Sequence, residues 1–335
     1  MARLRFLSTT IALGIVAGCV NPGTPRPATF AVPDVIRVRT DGRVADVPIE
    51  DYVLGSALSE LTPIGADPAA VARIFEVQTV LARTYAVAHL GRHQKEGFDL
   101  CDGTHCQLYQ PGRIKTSRFA ESARRAVERT RGVVLMFSRL PAEALYHSDC
   151  GGHTAAADAV WGGAHVPYLT GAPDYMPSLT HRSWTFDAPV DKVRAVLNLD
   201  PRSAVGRRLD RMAVTTRDDS GRAREVQVRG EKMRTIRGED FRAILNSEFG
   251  FRAIMSTRVS IERRGQTYRF TGTGFGHGVG LCQTGAAARA ARGEAVADIL
   301  SAYYPGTALT TVVPSGAQSA ANLVGREVPV LLKSP

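Results

Sequence analysis

A glycine-rich stretch at residues 274–286 carries three side chains that can bind a ligand or transfer a proton: His277, Cys282 and Gln283. Its glycines allow the backbone to approach a ligand closely, because glycine tolerates the positive φ angles that such loops need. A cluster of similar composition at residues 146–154 also combines glycine with histidine and cysteine. Loops of this composition are typical of binding sites, so the two clusters are predicted to form two walls of one site.

The elements that must position these clusters follow one another in irregular order. Hydrophobic periodicity predicts helices over residues 51–61, 67–90, 119–129, 190–197, 238–245, 283–292 and 296–303. Alternating apolar residues predict strands over residues 35–39, 47–49, 132–137, 143–147, 212–216, 225–229, 259–263 and 267–272. The Asp67-Pro68 pair marks a helix start, and Leu140-Pro141 is predicted as a turn.

Because there is no strict strand–helix–strand rhythm, these elements indicate an α+β fold. We expect mixed helices and short antiparallel strands around a substrate cleft. The stretch from about residue 175 to 265 is richer in charge and poorer in motifs, so it is predicted to form an inserted smaller subdomain.

The amino-terminal residues predict export and a lipid anchor. Arg3 and Arg5 precede an apolar run, which ends in small residues at a Val16-Ala17-Gly18-Cys19 lipobox. Residues 1–18 are then a signal peptide, Cys19 is the acylated residue, and the proline-rich residues 19–31 are a tether. An ordinary signal peptide with a chance cysteine, or a short membrane anchor, is the alternative. The protein is expected to be a lipoprotein of the bacterial envelope that faces the periplasm or cell wall.

After the tether, residues 32–311 are predicted to form the main domain and residues 312–335 a tail. The net charge of the whole sequence is +10. Such a surface attracts anionic polymers, of which cell-wall glycan is one, although an arginine-rich solvated surface explains the charge equally well. Nucleic acid is disfavoured as a partner by the export signal and by the lack of a recognisable binding module.

Four more segments, at residues 54–61, 77–86, 101–109 and 299–307, join the two clusters as motifs. In this order, over roughly residues 45–310, they resemble the stage II sporulation protein D family (the SpoIID/LytB type). The chain departs from the family's common pattern at Cys150 and Cys282, where serine is frequent. It also lacks the family's common tryptophan after Glu60.

The resemblance implies a peptidoglycan lytic transglycosylase whose catalytic residue is Glu60. One carboxyl group protonates the bond between N-acetylmuramic acid and N-acetylglucosamine and then deprotonates the muramyl C6 hydroxyl, which leaves 1,6-anhydromuramyl ends. Ordinary glycosidases use two carboxylates instead. An acid of this kind must stay protonated near neutral pH, so Leu58 and Leu61 are expected to raise the pKa of Glu60.

The same resemblance implies a set of residues that bind the glycan strand: Gln78, Arg83, Tyr85, His147, Gly151, Gly152, His153, Thr154, His277, Gly278 and Gln283. For Gln78 and Arg83 a fold-supporting role is the alternative, and for Tyr85 a place in the core. Trp161 and Tyr168 are expected either to stack on sugar rings or to pack in the core.

The cysteines leave several structures open. Cys101, His105 and Cys106 can ligate a structural zinc, with His93 or another histidine as the fourth ligand; a disulfide or free thiols are the alternatives. Cys150 and Cys282 are expected to meet, as a disulfide or in a metal site, unless both are chance substitutions. The transglycosylase reaction itself requires no cofactor.

Two other functions remain open. One is a metal-dependent cell-wall hydrolase, and the other is a non-catalytic glycan binder that enhances a partner amidase. The transglycosylase is favoured because a glutamate stands at position 60. The expected partners are peptidoglycan glycan strands, the membrane through Cys19 and, in the third case, an amidase.

Overall fold

A computed structural model describes residues 33–63, 67–174 and 181–312. The predicted lipobox with Cys19, the signal peptide and almost all of the predicted tail lie outside these described residues. The helices are α1 (Ile49–Glu60), α2 (Pro68–Ala88), α3 (Arg113–Thr116), α4 (Ala120–Arg129), α5 (Ala157–Trp161), α6 (Val190–Leu199), α7 (Gly238–Phe249), α8 (Gln283–Ala291) and α9 (Val296–Tyr303).

The strands are short and interleaved with the helices: β1 (Val35–Thr40), β2 (Arg43–Pro48), β3 (Leu100–Cys101), β4 (Val133–Phe137), β5 (Leu140–Pro141), β6 (Tyr146–His147), β7 (Ser183–Pro189), β8 (Leu209–Arg217), β9 (Ala223–Gly230), β10 (Met233–Arg237), β11 (Val259–Arg264), β12 (Thr267–Thr273), β13 (Leu281–Cys282) and β14 (Ala308–Thr311). They form small sheets ordered β2-β1-β3, β10-β9-β8, β11-β12-β7, β13-β6 and β14-β4-β5. The α+β prediction is confirmed.

The long helix α2 organises the half of the molecule that contains Glu60. Its start follows from local sequence, since the Asp67 carboxylate accepts hydrogen bonds from the N–H groups of Ala69 and Ala70 at 3.0 and 3.2 Å. Pro68 occupies the first helical position, where no N–H is needed. The helix packs against α1, α4, α8, α9 and β4. It thereby holds α1, which ends in Glu60, against the elements that follow the glycine-rich loops.

Residues 183–273 bury a hydrophobic cluster of their own. Phe241 of α7 and Phe270 of β12 lie at its centre with Val226 of β9, and all three are almost inaccessible to solvent. The strands β7 to β12 and the helices α6 and α7 all contribute to it. This segment overlaps the stretch for which an inserted subdomain is predicted.

One predicted turn is wrong. Leu140 and Pro141 form β5, which pairs antiparallel with β4. The chain turns instead at Ser138 and Arg139, whose φ angles are +48° and +69°. Arginine is not a typical turn residue and Leu140-Pro141 is the stronger turn signal, so the position of the hairpin is set by the pairing of its strands.

Strand pairing also shortens or adds elements. Of the strand predicted over residues 143–147, only Tyr146 and His147 form one, because only they pair, with β13. The strands β7, β10 and β14 have no counterpart in the prediction. Within the described residues, no helix combines the length and apolar character that crossing a membrane requires.

Candidate active site

Glu60 is the last residue of α1. Its Oε1 accepts a hydrogen bond from the backbone N–H of Leu108 at 2.9 Å, and the adjacent Leu58 and Leu61 are buried. Burial raises the pKa of the Glu60 carboxyl above its ordinary value of 4.5, and the bond from Leu108 opposes this rise without cancelling it. This is the environment expected for a general acid. The catalytic role of Glu60 itself stays a prediction.

Two polar side chains beside Glu60 were not predicted as site residues. Tyr146 lies beside Glu60, where it opposes the rise in the pKa of the carboxyl, and its hydroxyl donates to Gln107 Oε1 at 3.0 Å. Gln107 Nε2 donates to the carbonyl of Ala82 at 3.0 Å, which fixes the amide because a carbonyl can only accept. Gln107 lies in the motif segment 101–109 and Tyr146 in 146–154, so their place in these motifs is the sequence feature that could have identified them.

The two glycine-rich clusters are joined by backbone hydrogen bonds. In the parallel pair β6/β13, Cys282 lies opposite His147. Asp149 and Phe275 exchange two further backbone bonds of 3.0 and 2.7 Å. The predicted proximity of the clusters is therefore confirmed. The prediction of two opposing walls is wrong, since direct backbone pairing makes one continuous surface and leaves no gap between the clusters for a glycan strand.

His277 is held neutral and in one orientation. Its Nδ1 accepts from the N–H of Val279 at 3.0 Å, so Nε2 carries the hydrogen and donates to the carbonyl of Tyr146 at 3.1 Å. Burial lowers the pKa of His277 to about 4. The half-buried ring of Trp161 lies 5.1 Å from the His277 ring, between centroids, whereas Tyr168 is buried in the core. His277 thus orders the backbone next to Glu60.

Other predicted binding residues of the first cluster shape their own loop. His153 Nδ1 is hydrogen-bonded to the carbonyl of Thr154 at 2.6 Å. The Thr154 hydroxyl donates to the carbonyl of Ala172 at 3.1 Å and accepts from its N–H at 2.8 Å. Gly151 and Gly152 follow Cys150 at the surface of this loop and are half-buried. The loop's polar groups are largely satisfied within the protein, and the backbone at the two glycines stays partly accessible.

Asp149 was missed by the sequence analysis and anchors this loop. Its Oδ1 accepts from the N–H of Gly151 at 2.8 Å and pairs with His181 Nδ1 at 2.6 Å. Gly278, in the second cluster, packs directly against the buried guanidinium of Arg222. These contacts fix the backbone geometry of both glycine-rich loops.

The predicted binding residues on α2 are Gln78, Arg83 and Tyr85. Gln283 Nε2 donates to Gln78 Oε1 at 3.4 Å, which links the second cluster to α2. Arg83 is fully buried and forms two bonds with the Glu50 carboxylate, at 3.0 and 2.6 Å. Tyr85 is also buried. Gln78 is buried as well, so for all three residues burial favours the alternative to glycan binding: a fold-supporting role for Gln78 and Arg83 and a place in the core for Tyr85.

The predicted zinc ligands Cys101, His105 and Cys106 form a cluster of four residues with His93. The sulfur atoms of Cys101 and Cys106 are 3.3 Å apart, far beyond the ~2.05 Å of a disulfide. His105 Nδ1 lies 3.8 Å from each sulfur, and His93 Nε2 lies 3.5 Å from that of Cys106. His93 Nδ1 is bonded to Glu96 Oε1 at 2.6 Å, which orients Nε2 toward the cluster. The donor set fits the tetrahedral Cys₂His₂ arrangement that zinc prefers.

The remaining cysteines, Cys150 and Cys282, meet in the interior beneath the two loops. Both are inaccessible to solvent, and the N–H of Cys150 donates to Cys282 Sγ at 3.2 Å. Both are free thiols. Burial lowers the pKa of the adjacent His147 well below its ordinary value.

Comparisons with known proteins show which proteins this chain is similar to. The SpoIID family model, described as stage II sporulation protein, matches residues 39–137, which include Glu60 and residues 101–106. The chain is 29% identical over 285 residues to stage II sporulation protein D of Bacillus amyloliquefaciens, covering 78% of this chain and 74% of that relative. It is 31% identical over 269 residues to an uncharacterized protein of Brachyspira hyodysenteriae, covering 78% and 67% respectively.

The chain belongs to the stage II sporulation protein D family. Another relative is the amidase enhancer of Bacillus subtilis (27% identity over 282 residues, 70% of this chain), of which the match covers 38%. A domain of unknown function (DUF8618) matches residues 183–280. In this SpoIID-family chain the SpoIID model thus covers Glu60, and the DUF8618 model covers the second glycine-rich cluster as far as residue 280.

Proposed function

We propose that this protein is a peptidoglycan lytic transglycosylase that uses Glu60 as its single acid and base. The observation that carries the proposal is the half-buried position of Glu60, where desolvation raises the pKa of its carboxyl beside the paired glycine-rich loops. Membership of the family and the similarity to an amidase enhancer support the coarser statement of a cell-wall-related function. They do not distinguish cleavage from binding, and the structure around Glu60 is the reason for preferring cleavage.

In the proposed reaction, protonated Glu60 donates its proton to the glycosidic oxygen between N-acetylmuramic acid and N-acetylglucosamine. The resulting carboxylate takes the proton of the muramyl C6 hydroxyl as that oxygen attacks C1. The C1–O bond to the leaving sugar breaks and an intramolecular C1–O6 bond forms, so no water is consumed. Glu60 ends protonated again. A raised pKa favours the first step, because it keeps a larger fraction of Glu60 protonated near neutral pH.

Neighbouring residues are proposed to position Glu60 and the glycan. The N–H of Leu108 holds the carboxyl at the end of α1, with Tyr146 beside it. Neutral His277 cannot compete as a proton donor at neutral pH, since burial lowers its pKa to about 4. It holds the loop that presents Gln283 and the glycine backbone to the sugar.

We further propose a structural zinc held by His93, Cys101, His105 and Cys106. Zinc would cross-link the loop, and because four protein ligands fill a tetrahedral site, no open position remains for a reacting water. This reasoning disfavours the metal-dependent hydrolase. The loop continues directly into Gln107 and Leu108, the residues that contact Tyr146 and Glu60. The ion would therefore support the acid indirectly.

The proposed site of action is the envelope, with Cys19 acylated and the domain facing glycan strands. Metabolic labelling with a palmitate analogue tests this, because Cys19→Ser should abolish labelling and release the protein from the membrane. Labelling that persists in Cys19→Ser would contradict it.

Digestion of purified sacculi tests the reaction. Wild type should release muropeptides with 1,6-anhydro ends, identified by mass spectrometry, and Glu60→Gln should lower the rate about 10²–10⁴-fold, the usual contribution of a positioned general acid. Glu248→Gln is the matched control, because Glu248 is an exposed glutamate near the end of another helix, α7. Anhydro products formed equally by Glu60→Gln would contradict the role of Glu60.

The second candidate is enhancement of an amidase, which the similarity to the amidase enhancer favours. A purified cell-wall amidase would then cleave sacculi faster in the presence of this protein, and Glu60→Gln would stimulate it as well as wild type does. No anhydro products would form in that case.

A further inference from the structure

Cys150 and Cys282 lie together in the interior, although they are far apart in sequence. Cys150 follows β6, and Cys282 ends β13 and caps the helix α8. Neither residue is exposed to solvent. Two thiols are therefore buried at the place where the two loops pair, and three features of their surroundings indicate a ligand.

The first observation is an unpartnered ring nitrogen. His147 is 4% exposed, and its Nε2 has no hydrogen-bond partner. Its Nδ1 lies 3.2 Å from the carbonyl of Val279, to which it must donate, so Nε2 carries a free lone pair. One ligand atom each from His147, Cys150 and Cys282 lie within 4.8 Å of one another. A buried histidine with an unpartnered ring nitrogen, grouped with two cysteine sulfurs, is the donor set of a soft metal ion.

The second observation is that the sulfurs accept backbone hydrogen bonds. Cys282 Sγ accepts from the N–H groups of Cys150 and Gly285, at 3.2 and 3.3 Å. Cys150 Sγ accepts from the N–H of Gly152 at 3.3 Å. A thiol is a weak acceptor and a thiolate a strong one, so these bonds suit cysteine in its metal-bound form. The cluster around Cys101 shows the same pattern, since its N–H donates to Cys106 Sγ at 3.3 Å.

The third observation is a carboxylate at the same place. Asp174 is 2% exposed, and its Oδ2 lies 3.5 Å from Cys150 Sγ. The Tyr303 hydroxyl bonds to both of its oxygens, at 3.0 and 2.9 Å, and Arg289 lies 3.7 Å away. The buried carboxylate beside Cys150 makes this region more negative, which favours a cation there in addition to the one arginine.

We propose that His147, Cys150 and Cys282 bind a second soft divalent cation, of which zinc is the type, and that Asp174 beside Cys150 adds negative charge near the ion. On binding, the two thiols lose their protons to solvent and two metal–sulfur bonds form, with no change of oxidation state. The ion would cross-link the two glycine-rich loops from beneath. This proposal stands independently of the role of Glu60 and of the ion at His93.

Metal analysis of three proteins tests the proposal: wild type, Cys150→Ser/Cys282→Ser and Cys101→Ser/Cys106→Ser. Each is purified with zinc and a non-thiol reductant, and its zinc is measured per chain by mass spectrometry. Serine is the matched substitution, because its oxygen still accepts the backbone N–H bonds but binds zinc poorly. Cys150→Ser/Cys282→Ser should contain about one zinc fewer than wild type, and the cluster variant at Cys101 should retain the zinc at Cys150.

A second measurement uses wild type only and does not depend on how the variants fold. The metal-free protein is alkylated over many hours with and without added zinc, so that local opening exposes the buried thiols, and each cysteine is mapped by peptide mass spectrometry. Zinc should protect Cys150 and Cys282 in addition to any protection at Cys101 and Cys106. Unchanged zinc content in a folded Cys150→Ser/Cys282→Ser, no protection of this pair by zinc, or a disulfide-linked peptide joining the two residues would overturn the proposal.

Discussion

Burial distinguishes Glu60 from an ordinary glutamate at the end of a helix. A carboxyl at such a position is usually solvated and ionised, whereas here Leu58 and Leu61 flank it and the chain at Leu108 covers it. The surroundings therefore disfavour the charged form, which is the condition a general acid needs. Tyr146 lies beside the carboxyl, and the hydrogen bond from its hydroxyl to Gln107 fixes its position.

The raised pKa of Glu60 has a consequence for stability that can be measured without any substrate. A carboxyl whose folded pKa lies above its ordinary 4.5 stabilises the folded state below that pH, and this contribution is lost as pH rises through the folded pKa. Glutamine at position 60 does not titrate. We therefore expect thermal unfolding to show Glu60→Gln gaining stability relative to wild type as the pH rises above 4.5.

The control for this comparison is again Glu248→Gln, since Glu248 is exposed. Its melting temperature should stay nearly parallel to that of wild type across the same range. A difference between Glu60→Gln and wild type that does not change with pH would show that burial does not perturb Glu60.

At the level of elements, the short parallel pair β6/β13 joins the two clusters. Gly280 precedes β13 with φ +70°, and a Cβ placed there would lie 2.0 Å from the carbonyl oxygen of Leu145. Because that atom belongs to the backbone, it cannot move aside without breaking the pairing. Glycine at 280 is therefore a requirement of the contact between the loops as well as of its φ angle.

Alanine substitution separates these two requirements. Gly265 also has a positive φ, +62°, but a Cβ there meets nothing within 4 Å. Gly265→Ala should cost about 1–2 kcal/mol in the free energy of unfolding, the price of a left-handed alanine. Gly280→Ala should cost clearly more, measured by chemical denaturation, and should also lower activity on sacculi. Equal losses at both positions would show that the loops can separate without cost.

At the scale of the whole molecule, the cysteine–histidine loop and the acid are parts of one connected structure. Cys106 is followed directly by Gln107 and Leu108, which bond to Tyr146 and Glu60. Loss of an ion from His93, Cys101, His105 and Cys106 would thus loosen the cover of Glu60. A structural ion of this kind should affect stability and activity together.

Chelation of the Cys150→Ser/Cys282→Ser variant tests this link, because the variant retains only the cluster at Cys101 and Cys106. Removal of zinc should lower both the melting temperature and the rate of sacculus cleavage, and added zinc should restore both. Glu60→Gln should instead lose activity without any fall in melting temperature. Chelation that abolishes activity while the melting temperature stays constant would indicate a catalytic metal.

Local sequence determined the elements whose signals lie within a few residues. The start of α2 follows from Asp67 and Pro68, since a cap and its N–H partners are sequence neighbours. The hairpins β1/β2 and β11/β12 follow from alternating residues around short turns. The motifs also indicated the family and the residues of the candidate site, including His93 as one choice of fourth ligand.

Only the tertiary structure decided which of these residues meet and which are buried. The pairing of β6 with β13 replaced two opposing walls by one surface, and it could not be read from strands of two residues. Three other features also depend on tertiary packing. They are the position of Tyr146 beside Glu60, the burial of Arg83, and the grouping of His147 with two thiols. Such contacts join residues far apart in the chain, so their chemistry depends on packing that no local pattern encodes.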